Sequence, residues 1–122
     1  MRLRAPVLGS PDPGALAAFY ERLLGWTVAA AEPDFVRLES PEGGICLSFQ
    51  EEQHFVRPVW PAVPGEPQMT AHLDFAVDDL AAAEAWALEA GATPADHQPD
   101  PDELRVMLDP DGHPFCLFEL PD

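Results

Sequence analysis

Lysine is missing altogether, and the six basic residues, all arginine, face 22 acids for a net charge of −16. Such a surface repels phosphate backbones and anionic lipid, so neither nucleic acid nor a membrane is expected as a partner. No apolar run approaches the length of a bilayer span. The N-terminal MRLRAPVLGSPDPG has no apolar core followed by a cleavage site, so no secretory signal is expected. Cysteine occurs only twice, which without a signal points to reduced thiols in a cytoplasm. No glycine-rich phosphate loop follows a strand, since PEGG reads as a hairpin turn, and no serine stands in a nucleophile elbow. The use of arginine alone as the basic residue, with alanine- and proline-rich usage, points to a GC-rich bacterial genome.

Against these absences, 122 residues with 47% hydrophobic content are enough for one globular domain with a real core. The chain repeats itself. RLRAPVLGSPDPGALAAFYERLLGW (2–26) aligns with TAHLDFAVDDLAAAEAWALEAGA (70–92), placing Asp12 on Asp79, Phe19 on Trp86 and Ala5 on His72. Each segment reads as strand, cap, helix. Asp12 with Pro13 is a helix start, Leu16, Phe19, Tyr20, Leu23 and Leu24 form one apolar stripe, and Gly25 ends it. Asp79 begins a second helix with Leu80, Ala83, Trp86, Ala87 and Ala90 as its inward stripe, stopped by Gly91.

Three short strands are expected after each helix, near 26–31, 34–39 and 44–50, then 92–97, 103–108 and 114–119. A Pro-Glu-Gly turn and a Pro-Asp-Gly turn precede the last strand of each set. The expected fold class is α+β: two tandem βαβββ modules, 1–50 and 70–122, within a single domain 1–122. A connector over 51–69 joins them, and its proline-rich part, RPVWPAVPGEPQ (57–68), reads as extended and stiff.

SPDPGALAAFYERLLGW, HLDFAVDDLAAAEAWALEAGA and LDPDGHPFCLFEL, in this order and spacing, resemble the vicinal oxygen chelate superfamily. That superfamily includes glyoxalase I, extradiol dioxygenases, fosfomycin-resistance enzymes and bleomycin-binding proteins. The resemblance implies two curved sheets around a shared cleft, helices outside, and a homodimer. It also implies four recurrent metal-ligand positions, which here carry Ala5, Cys46, His72 and Cys116. Ala5 has no donor atom, and the carboxylate usual at the strand-end positions is absent. No metal is therefore the expected reading, with the thiols as apolar lining. A zinc site of His72 with both cysteines is the minor alternative.

Strand alternation turns Leu73, Phe75 and Val77 toward the helix and His72, Asp74 and Ala76 toward the cleft. The same count offers Cys46, Ser48 and Gln50 from the first module and Cys116 and Phe118 from the last strand, with Arg105 reaching in from its neighbour. Trp60 on the connector is a candidate pocket wall. His72 and Asp74 are the candidate catalytic pair, because an adjacent carboxylate orients an imidazole and raises its basicity. Three functions fit. One is a protein that binds a small organic molecule in the cleft, its acidic surface favouring a cationic drug and hence antibiotic sequestration. Another is a glyoxalase-like lyase or isomerase acting on a small carbonyl compound through His72 or an atypical zinc site. The third is an interaction module with a vestigial cleft.

Overall fold

A computed structural model describes residues 1–119; the last three residues of the second module as bounded above lie outside them. The element order is β1 (Val7–Ser10), α1 (Pro13–Leu24), β2 (Thr27–Glu32), β3 (Phe35–Glu39), β4 (Leu47–Glu51), β5 (Leu73–Val77), α2 (Leu80–Ala90), β6 (Thr93–Pro94), β7 (Leu104–Leu108) and β8 (Pro114–Glu119). This is βαβββ twice. The sheets have orders β1-β4-β3-β2 and β5-β8-β7-β6, each with one parallel pair, β1 with β4 and β5 with β8. The chain divides into two compact units, the first closing at Phe55 and the second opening at Val56.

Local chemistry explains why the helices start and stop where they do. The Asp12 carboxylate accepts from Ala15 N at 3.1 Å, with Pro13 inside the first turn, where its missing N–H costs no hydrogen bond. Gly25 closes α1 in the left-handed conformation at φ 69°. Asp79 repeats the device on Ala82 N at 2.9 Å, and Glu119 adds a second carboxylate on Leu80 N at 2.8 Å.

The first unit packs α1 on the face formed by Val36, Leu38, Leu47 and Phe49, which share a side through their register. Phe19, Tyr20 and Phe49 are fully buried, with Tyr20 stacked on Phe49 at 5.4 Å between centroids. Each such side chain contributes about 1.5–3 kcal/mol by burial.

The second unit uses smaller pieces. Ala87, Ala90, Ala92 and Ala95 are buried beside Met107, Phe115 and Leu117. Trp86, expected in the helix stripe, is 52% exposed. The buried stripe centres on Leu80, Ala87 and Ala90, and Trp86 lies to its flank. The strand expected at 92–97 shortens to Thr93–Pro94. Beyond Pro94, the Gln98 side chain replaces the missing strand: its amide accepts from Val106 N and donates to Val106 O, both at 2.8 Å.

The connector corrects the expectation of an extended strut. Val59 N donates to Pro67 O at 2.8 Å and Glu66 N to Val63 O at 3.1 Å, so the chain doubles back on itself, turning at Gly65 with φ 83°. Its prolines set φ without forcing extension, because a turn at a glycine reverses direction. Arg57 fastens the start of this loop to the Pro-Asp-Gly turn, with Nη1 donating to Pro110 O at 3.2 Å.

Candidate functional site

The chemically richest place among the described residues is one face of the second sheet. β5 and β8 run parallel with Asp74 opposite Cys116, and β7 sets Val106 opposite Cys116. These three therefore share a side, opposite the one on which Phe75 meets Phe115 edge to face at 5.7 Å. His72, two residues before Asp74, joins the same side, its Nε2 at 3.0 Å from Asp74 Oδ1. One ligand atom from each of His72, Asp74 and Cys116 lies within 4.8 Å of the others. The side chains of His72 and Asp74 are 38% and 52% exposed, and Cys116 is half-buried.

The arrangement has definite chemical consequences. A carboxylate accepting at Nε2 requires the proton there, which leaves the neutral ring's lone pair on Nδ1 as the basic atom. Burial pushes the Cys116 thiol above its ordinary range, and the Asp74 charge and its hydrogen bond to the thiol push in the same direction. Cys116 is thus a protonated thiol at neutral pH, a donor to Asp74 and a poor nucleophile.

Phe118 continues this face beyond Cys116, registered with Ala76 and Leu104. Arg105 does not share it. The register gives it the helix side with Leu117, where its Nε binds Glu84 Oε2 on α2 at 2.9 Å. One residue of register decides the face. Trp60 is half-buried in the same unit, its ring tilted against His97 at 5.8 Å; His97 carried no signal beyond a polar neighbourhood.

Cys46, Ser48 and Gln50 belong to the first unit. Cys46 stands just before β4, its N–H bonded to Arg4 O at 2.8 Å, beside a depression of about 620 Å³ also lined by Arg2, Arg4 and Ile45. Ser48 is 1% exposed and registered with Arg37, and Gln50 is exposed. Arg37 was not singled out from the sequence. Its guanidinium lies 5.2 Å from the Phe35 ring centroid and its buried Nε has no hydrogen-bond partner. An arginine between apolar neighbours in FVRLE was the available signal.

Residues 6–118 match the glyoxalase-like domain family. The chain belongs to that family. Solved structures of this glyoxalase-like fold agree along the whole length. A glyoxalase/bleomycin resistance protein/dioxygenase family enzyme from Burkholderia phytofirmans PsJN superposes with TM-score 0.73 at 20% identity, covering 99% of this chain and 100% of that one. A glyoxalase-related enzyme from Fulvimarina pelagi gives 0.71 at 21%, covering 99% and 89%. A bleomycin resistance determinant encoded on the transposon Tn5 gives 0.63 at 20%, covering 98% of each chain. No curated protein matches the sequence. At these identities the likeness establishes the vicinal oxygen chelate fold. Of the four positions at which the resemblance expects ligands, Ala5 carries no donor atom and two others are thiols, which disfavour hard cations. Among the described residues, no helix is long and apolar enough to cross a membrane.

Proposed function

We propose that this glyoxalase-like chain binds a small organic molecule against the β5–β8 face, with His72, Asp74 and Cys116 as its polar contacts and Phe118 as apolar floor. The observation that carries this reading is the convergence of three polar groups on one exposed sheet face beside a half-buried aromatic. The net charge of −16 favours a cationic ligand, as in antibiotic sequestration. The hydrogen bond between His72 and Asp74 supports a second reading, proton transfer on a small carbonyl compound with Nδ1 of His72 as base.

Calorimetric titration of the chain with a panel of small carbonyl compounds and cationic glycopeptide antibiotics tests both. At least one compound should bind, and His72→Ala should weaken it by about tenfold, the loss of one charge-assisted hydrogen bond. Binding indifferent to His72→Ala, Asp74→Ala and Cys116→Ala together would move the ligand elsewhere. Turnover of a bound carbonyl compound that disappears in His72→Ala while binding persists would select the enzyme.

A further inference from the structure

We infer that Arg37 anchors a carboxylate-binding site on the first module's sheet, suited to a small organic monoacid with an apolar or aromatic body. The site stands on first-module residues alone and does not rest on the ligand proposed above. Val36, Leu38, Leu47 and Phe49 turn toward α1, so Phe35 and Arg37 turn to the opposite face. Gln50 and Ser48 are registered across from them, and Val7 lies one strand further on, beside Ser48.

A guanidinium is always charged and carries only donors, so burying part of it without an acceptor is unfavourable. Arg37 is in that state. Its Nε is buried with no hydrogen-bond partner. Among the described residues no carboxylate pairs with it, although Glu32 and Glu39 stand on the same face. The Phe35 ring, its centroid 5.2 Å from Cζ, orients the guanidinium through a cation–π contact but satisfies none of its N–H groups. A carboxylate supplies what is missing, because its two oxygens accept in parallel from Nε and one Nη. The residue as a whole is half-buried, so rotation about its side-chain bonds turns that edge to the open face. Ser48, directly across the strand pair, adds a hydroxyl donor. Phe35 and the half-exposed Val7 offer apolar surface for the body of the acid. Charge selects a monoacid. Among the described residues Arg37 is the one base in the strand register of this face, and one guanidinium balances one carboxylate. A phosphate dianion leaves an excess negative charge in a chain already at −16.

The test is titration of the full, isotope-labelled chain with benzoate at fixed pH and ionic strength, read by NMR at the arginine Nε–Hε signals. The Arg37 signal, identified by its absence from Arg37→Lys, should move saturably with benzoate. It should stay still with benzamide, which has the same body without the charge. Arg37→Gln should weaken benzoate by about tenfold or more, the loss of a bidentate charge-assisted pair. Arg37→Lys keeps the charge and the stem but loses the fork, and should also weaken it. Backbone amide spectra of each variant separate loss of the site from loss of the fold. An Arg37 signal that does not move saturably would overturn the inference. So would an equal response to benzamide, or undiminished benzoate binding in folded Arg37→Lys. Inorganic phosphate binding more tightly than benzoate at the same ionic strength would overturn the assignment to a carboxylate.

Discussion

The two modules have the same topology, the same aspartate caps and the same style of turn, yet they divide the work differently. The first spends its large side chains inward, burying Phe19, Tyr20 and Phe49 between α1 and its sheet. The second fills the equivalent space with Ala87, Ala90, Ala92 and Ala95 around Phe115 and leaves Trp86 half in solvent. The second is also where imidazole, carboxylate and thiol converge. Duplicated architecture thus constrains the backbone strongly and the choice of side chains weakly: matching aspartate caps and similar turns support one aromatic-rich core and one lean core beneath the His72, Asp74 and Cys116 face.

The sharpest way to break this comparison is Phe49→Ala. Removing a fully buried ring and its stack on Tyr20 should cost about 3–5 kcal/mol in chemical denaturation. A loss below about 1 kcal/mol would show that the first core is not the tighter one.

A smaller effect concerns the second module's thiol. Asp74→Asn removes the charge and the accepting carboxylate that help hold Cys116 protonated, while burial, the larger cause, remains. Site-resolved alkylation of Cys116 just below pH 9 should accelerate, because removing two of the three influences that raise the thiol increases its thiolate population at that pH. An unchanged rate would detach Asp74 from the thiol. The sign for stability follows: a thiol raised above its unfolded value stabilises the fold below the unfolded pKa, and that contribution is lost as pH rises toward the folded one.

The smallest effect is expected at Trp86. With half its surface in water, Trp86→Ala should cost about 1 kcal/mol or less, and a loss matching that of Phe49→Ala would erase the contrast between the helices.

How much of this was legible in the sequence follows from the range of the forces involved. Caps, turns and helix stops rest on residues within one turn of each other, so Asp12, Pro13, Gly25, Asp79 and Gly91 announce themselves. The pairing of His72 with Asp74 was equally local, a matter of strand alternation. The neighbour of Cys116 was not, because it needed the register of β5 against β8. Arg105 shows the cost of that gap: a single step of register sends it to Glu84 instead of the site. Trp86 matched the helical period, but depth of burial depends on what the sheet offers opposite, and that is a tertiary fact. Gln98 completing β7 from a side chain has no periodic signature at all.

The doubled-back connector changes what its length means. Since Val59 and Pro67 are hydrogen-bonded, the chain between them is a spur closed by that rung, with Trp60 resting on His97 near its base. Residues added at its Gly65 tip would enlarge the spur without moving the two ends of that rung apart. Residues added between Arg57, which is anchored at Pro110, and Val59 would shift the rung itself. For a designer inserting a peptide tag or a protease site, the tip is the place where sequence can grow while the frame stays put.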